Sequence, residues 1–270
     1  MKENLKTVYT CFPEGKFKVL TMSYDDGTLS DKRLIKIFNK YAIKGSFHLN
    51  GGLADKDDAR VPLAEVKEVY KGHEVSGHTY THPTIARCPQ SLVAQQILKD
   101  RAGLEKACGY AVRGISYPNR SVSPEIVSLL PHCGIEYART GNSTGGFSMP
   151  DNFLLWNPTC HHKENLLELG RKFVGLNKPW YLFMMYVWGH RYEFDNDNNW
   201  ELMEEFCKIA GRHDDIWYAT NIEIVDYMNA AKNLKYTADM DKVYNPSAIP
   251  VWISVDGQIY SIKPGETAEI

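Results

Sequence analysis

Two short segments of this chain hold the residue types that metal-assisted hydrolysis needs. Ser23-Tyr24-Asp25-Asp26-Gly27 sets two carboxylates side by side. Asp-Gly by itself favours a turn, but a helical pattern follows it rather than a pairing strand, so a hairpin does not account for it. Gly77-His78-Thr79-Tyr80-Thr81-His82-Pro83 sets two imidazoles four residues apart. On one face of a helical turn their Cβ atoms would stand about 6 Å apart, and both rings could reach one ion at about 2.0–2.1 Å. Two imidazoles and a carboxylate suit zinc or a similar divalent ion and leave positions open for water and substrate. Arg113 lies in an otherwise apolar stretch and needs a partner, because burying an unpaired guanidinium is costly. That partner is either a structural carboxylate or a catalytic Asp, whose pKa the arginine would depress. His190, in Trp188-Gly189-His190, is a candidate general acid or a capped core histidine.

The elements that position these residues alternate. Strands are expected at 17–24, 45–49, 73–76, 112–117, 135–139, 153–157, 180–188 and 216–219. Helices are expected at 30–41, 63–71, 90–108, from Ser123-Pro124-Glu125 onward, and at 164–176, 199–213 and 221–231. Parallel strands need crossover helices, so the rhythm implies an α/β fold, a distorted (β/α) barrel of about seven to eight strands, with a doubly wound open sheet as the alternative. All four candidate motifs fall at C-terminal strand ends, the face where barrel active sites sit. Beyond residue 240 the rhythm stops. Val251–Val255, Asp256-Gly257 and Gln258–Ile262 read as a β-hairpin, giving a catalytic barrel over 1–240 and a hairpin extension over 241–270.

Composition narrows the function. The 31 basic and 33 acidic residues leave a net charge of −2, which excludes a strongly basic nucleic-acid binder. The longest apolar run, Trp180 to Trp188, falls short of the roughly 18 residues of a membrane span, so no span is expected. None of the six cysteines forms a Cys-x-x-Cys pair, and they read as reduced thiols. The charged start Met1-Lys2-Glu3-Asn4 does not resemble a secretory signal. Together these point to a cytoplasmic protein, or an extracellular one if a signal has been removed.

Tyr24-Asp25-Asp26-Gly27, the His78-x-x-x-His82 pair, the Arg113 strand and His190 occur in the order found in the polysaccharide deacetylase family (carbohydrate esterase family 4), which residues 17 to 230 resemble. The resemblance implies one divalent ion, zinc the first choice, held by Asp26, His78 and His82. It implies Asp25 as general base, oriented by Arg113, and His190 as general acid. It also implies an acetylated carbohydrate as partner and N-deacetylation as the reaction. An O-acetyl esterase, a small-amide hydrolase on the same scaffold and an inactive carbohydrate-binding protein are the alternatives. Tyr117, Trp156 and Trp188 are expected to line the substrate cleft. The sequence departs from the family pattern in three places. The third motif reads Arg113-Gly-Ile-Ser-Tyr117-Pro118; Pro118 has no N–H, so an oxyanion donor must come from Tyr117 or Asn119. The fourth, Asp-x-x-Asp-Trp, is matched best by Trp156, and the carboxylate that would tune His190 is not placed. The fifth has Trp188 in place of Leu. Trp156-Asn157-Pro158-Thr159-Cys160-His161-His162 reads as a loop at the catalytic face, open to a surface or a substrate-contacting role. His48 reads as a structural residue.

Overall fold

A computed structural model describes residues 5–270; the first four residues of the N-terminal segment considered above lie outside them. The strands are β1 Val8–Cys11, β2 Lys18–Asp25, β3 Gly45–Leu49, β4 Glu74–Gly77, β5 Gly114–Ser116, β6 Tyr137–Arg139, β7 Cys160–His161, β8 Phe183–Gly189, β9 Ile216–Tyr218, β10 Lys235–Tyr236, β11 Lys242–Tyr244, β12 Val251–Val255, β13 Gln258–Ile262 and β14 Thr267–Glu269. The helices are α1 Asp31–Lys40, α2 Val66–Val69, α3 Gln90–Cys108, α4 Pro124–Leu129, α5 Leu166–Val174, α6 Tyr192–Asn196, α7 Trp200–Ala210 and α8 Asn221–Lys232.

The main sheet is parallel and curled, in the order β6-β5-β4-β3-β2-β8-β7, with β9 beside the first half of β2. This is the distorted (β/α) barrel that the alternation implies. Every residue of β2 is buried, as expected for a parallel strand covered on both faces. Apolar faces of α1, α5 and α7 pack on one side of the sheet around Leu20, Phe38, Phe173 and Phe206. The expected strand at 153–157 is instead a short 3-10 turn, Phe153–Leu155, followed by a single parallel bridge from Trp156 to Arg139. The chain then enters β7, which pairs with β8. The segment 156–161 thereby touches both edges of the curled sheet.

Below the catalytic face, buried Glu74 accepts hydrogen bonds from Ser46 Oγ (2.7 Å), Tyr137 Oη (2.7 Å) and the Ile222 N–H (3.0 Å). The N-terminus of α8, with its positive dipole end, rests on that carboxyl group. Burial pushes the Glu74 pKa up to about 7 despite these donors.

The hairpin lies where the Asp-Gly signal puts it, with Val255 opposite Gln258 and positive φ at both Asp256 and Gly257, as a two-residue primed turn requires. It does not stand alone. β12 also pairs antiparallel with β1, and Tyr227 Oη of α8 donates to Cys11 O at 2.6 Å. A second small sheet, β10-β11-β14, completes the C-terminal region. The six cysteines are free, and among the described residues no helix is long and apolar enough to cross a membrane.

Candidate metal centre and catalytic pocket

β2 ends at Asp25, and the chain turns at once. Asp26 has φ of 78° and Gly27 of 61°. A Cβ on Gly27 would stand 2.6 Å from Leu49 Cγ, so glycine is required there, whereas Asp is one of the residues that tolerate the left-handed region. The Asp26 N–H donates to His48 O at 2.9 Å, and Arg60 Nη1 donates to Asp26 O and, at 2.9 Å, to Asn50 Oδ1. Asn50 Nδ2 in turn donates to His78 O (2.7 Å) and Thr79 O (2.8 Å). Asp100 of α3 accepts from the Gly51 and His78 N–H groups at 2.6 and 3.0 Å. The loops after β2, β3 and β4 are thus tied together before any ion binds.

The two histidines do not share a helical turn. His78 follows the end of β4, and the loop to His82 bends through positive φ at Thr79 (65°) and His82 (58°). For a β-branched residue such as Thr79 this is a strained conformation, of the kind found at ligand clamps. The bend brings His82 Nε2 to 3.0 Å from His78 Nε2.

This close approach tests the fit of a metal. His78 Nδ1 lies 2.9 Å from Ser116 O and 2.6 Å from Ser116 Oγ. The hydroxyl proton goes to Asp25 Oδ1 at 2.9 Å, so His78 Nδ1 carries the proton and Nε2 presents its lone pair. Burial holds the His78 pKa below its ordinary value, which keeps it a neutral ligand. His82 Nε2, 3.0 Å away, can either donate a proton to that lone pair or share a cation with it. Ligands at about 2.0–2.1 Å from one ion stand roughly 3 Å apart at near-right angles. The donor atoms of Asp26, His78 and His82 all lie within 4.8 Å of one another. The residues fit a divalent ion.

Asp25 is buried beside this group. Its Oδ2 pairs with Arg139 Nη2 and lies 3.9 Å from both His78 Nε2 and His190 Nε2. Burial would raise its pKa, but Arg139 and the imidazoles of His78, His48 and His190 outweigh burial and hold it well below the carboxylate range. The partner is therefore Arg139 and not Arg113. Arg113 precedes β5 at the opposite end of the strand, where Nη1 and Nη2 each reach Asp226 at 2.7 Å, and Nη1 also reaches Glu136 at 3.1 Å. It is a half-exposed structural ion pair. Arg139 closes β6 at the catalytic face, and the argument from an arginine in an apolar strand applies equally to Ile135-Glu-Tyr-Ala-Arg139.

His190 follows β8 and reaches the pocket. The carboxylate facing it is Glu193, three residues on in α6, with Oε2 3.6 Å from His190 Nδ1 and 3.1 Å from the His190 N–H. Burial pushes the His190 pKa down, but Glu193, Asp25 and Asp26 more than offset this and hold it above its ordinary value. His161 Nε2 lies 3.1 Å from the same oxygen. His161, His190 and Glu193 form a second group of close donor atoms. There, however, the Lys163 N–H donates to His161 Nδ1 at 3.2 Å, which places the proton on Nε2 and makes His161 a hydrogen-bond donor to Glu193 rather than a ligand.

A cavity of about 450 Å³ joins these groups and is lined also by Tyr117, Asn119, Arg120, Trp188 and Tyr192. Trp188 forms part of the wall, with the Arg139 guanidinium 4.4 Å from its ring centroid. Tyr117 lines it too, with its hydroxyl donating to Leu154 O at 2.7 Å. Its N–H donates to Arg139 O at 3.0 Å, so of the two expected oxyanion donors the Tyr117 N–H is already engaged. Trp156 is not in the cleft. It is fully buried, edge-on to Tyr186 at 4.9 Å and Tyr137 at 5.8 Å, because its bridge to Arg139 turns the ring into the core. His48 is structural, as expected: buried, with Nε2 2.8 Å from Ser23 Oγ.

A family model described as polysaccharide deacetylase matches residues 13–138. Over that stretch, a little under half of its length, the chain is similar to the polysaccharide deacetylase family. Among curated proteins, the chain is 27% identical over 117 residues to a chitooligosaccharide deacetylase of Sinorhizobium fredii, covering 42% of this chain and 53% of that protein. It is 30% identical over 109 residues to a peptidoglycan-N-acetylglucosamine deacetylase of Bacillus cereus, covering 39% and 38%. The chain thus spans about half or less of these relatives. A protein of Mycobacterium smegmatis assigned to the polysaccharide deacetylases shares its fold with a TM-score of 0.63 at 17% identity, over 82% of this chain and 93% of that one. A CE4-family pseudoenzyme of Bacillus anthracis does so with a TM-score of 0.52 at 18% identity, over 80% and 68%.

Proposed function

We propose that this polysaccharide deacetylase homologue removes N-acetyl groups from a carbohydrate with the help of one divalent ion, zinc the first choice. The observation that carries the proposal is the convergence of Asp26, His78 and His82 beside Asp25 and His190 in one cavity. The curated relatives named for chitooligosaccharide and peptidoglycan N-acetylglucosamine deacetylation support the substrate class. An ion on the three ligands would polarise the acetyl carbonyl and acidify a water.

The chain's own residues do the rest. Asp25 Oδ2 borders the ligand nitrogen of His78 on one side and His190 Nε2 on the other. It takes the proton from the attacking water. Arg139 and Ser116 fix the carboxylate and keep it ionised. Charged His190, supported by Glu193, gives a proton to the departing amine, which is a very poor leaving group without it. The Asn119 N–H supports the developing oxyanion.

The test is acetate release by protein stripped with chelator and reconstituted with zinc, across chitooligosaccharides, peptidoglycan fragments and acetylated xylan. Zinc-dependent release from an N-acetylated glycan is expected. Silence on all three would overturn the proposal, an outcome made concrete by the pseudoenzyme among the structural neighbours.

A further inference from the structure

The cavity holds one cation that the proposed reaction does not use. Arg120 lines the same cavity as Asp26, His78 and His82, with its guanidinium 5.6 Å from the Trp188 ring centroid. Its stem runs over Gly141, where a Cβ would stand 2.7 Å from Arg120 Cγ and 2.8 Å from Nε. Glycine at 141 leaves the groove that the side chain occupies. The backbone is shaped to the same end: Asn119 and Arg120 both have φ of 53°, a conformation that residues with a Cβ rarely adopt. Asn119 Nδ2 donates to Thr84 Oγ1 at 3.1 Å and the Ala86 N–H to Ser121 Oγ at 2.6 Å, which pins the turn from both sides.

The other strong charges of the pocket are matched. Arg139 pairs with Asp25, and Glu193 with His161 and Lys163. Among the described residues Arg120 enters no such pair. Glu164, which feels its charge, is already held by the His161 N–H at 2.9 Å. A guanidinium stacked near an aromatic ring keeps its N–H edge free, and that planar fork matches a carboxylate in two parallel hydrogen bonds.

We propose that Arg120 is a specificity residue selecting glycans that carry a carboxylate group next to the N-acetylated sugar. The proposal rests on the deacetylase reading and narrows its substrate class to acidic glycans.

The test compares two probes that differ only in charge: the disaccharide N-acetylglucosaminyl-N-acetylmuramic acid and the same disaccharide with its carboxylate converted to the carboxamide. Acetate release gives the ratio of kcat/KM for acid over amide. In the zinc-loaded protein the ratio is expected to be roughly tenfold or more, the size of one charge-assisted hydrogen bond, and to shrink with added salt. Arg120→Met should bring it to about one, and Arg120→Lys, a point charge without the fork, to an intermediate value. A ratio near one in the unmodified protein, or a ratio unchanged in Arg120→Met, overturns the proposal. Calorimetric binding of both probes to the Asp25→Asn protein reads the same preference without turnover. Acid-selective binding that Arg120→Met removes, with no acetate released by the unmodified protein, would uphold Arg120 and sink the deacetylase reading. Turnover without selectivity would do the reverse.

Discussion

The two halves of the pocket are built differently. The half formed by Asp26, His78 and His82 is a set of ligands on loops cross-tied by Arg60, Asn50 and Asp100. Its key atoms come from two contiguous motifs. The half formed by His190, Glu193 and His161 is tied instead by ion pairs, with Lys163 reaching both Glu193 and Asp197 of the segment around α6. It gathers one carboxylate oxygen and three imidazoles, those of His161, His162 and His190, from the end of β7, the end of β8 and the five-residue α6. On the proposed function the first half would hold an ion and the second a proton. A fixed coordination geometry demands tied loops, while a proton donor needs only a carboxylate within Coulombic reach.

Substitutions should separate the two. The largest expected effect falls on the proton half. His190→Ala should lower kcat on N-acetyl substrates by about 10²- to 10⁴-fold while zinc affinity measured by calorimetry stays near the original. An equal loss on an activated acetyl ester would contradict the acid role, because a good leaving group needs less help. Next comes the arginine paired with Asp25, the carboxylate that stands between the halves. Arg139→Met should cost at least about tenfold in kcat by freeing Asp25. Arg113→Met should leave kcat unaltered and cost about 1 kcal/mol or less in stability, as a partly exposed ion pair. A fall in kcat for Arg113→Met alone would restore it as the orienting residue.

The smallest effect is a pH shift. His190 must be protonated to act, and its pKa is held above the ordinary value by negative neighbours. Activity is therefore present below that pKa and lost as pH rises through it. Glu193→Gln removes one of those charges, so the alkaline limb of the kcat profile should move to lower pH. A limb that stays in place would show that Asp25 and Asp26 alone set the value.

The same division governs what could be read from the sequence. The 3.6-residue pattern and Gly109 place α3 at Gln90–Cys108, and Gly109 does end it with φ of 87°. β3 likewise has its expected bounds. The half holding Asp26, His78 and His82 shows in the sequence because its residues come from two short contiguous motifs. Arg113 and Arg139 cannot be told apart that way. Each sits in a short apolar stretch, and only the strand's true start at Gly114 shows that Arg113 lies at the far end. Glu193 is hidden because Tyr-Glu-Phe-Asp-Asn is too short and polar to signal a helix. A two-residue strand such as Cys160–His161 leaves no periodicity to detect. Trp156 misleads because one bridge decides which way its ring faces.

The central claim is that two adjacent carboxylates do different jobs, Asp26 binding the ion and Asp25 handling the proton. Zinc titration of Asp25→Asn and Asp26→Asn, paired with acetate release from each, tests it directly. Asp25→Asn should bind zinc as the unmodified protein does and lose at least about 10²-fold in turnover. Asp26→Asn should lose about 10²-fold or more in zinc affinity, at the upper end of the cost of disturbing a metal site's supporting contacts. Zinc retained by Asp26→Asn and lost by Asp25→Asn would contradict the account.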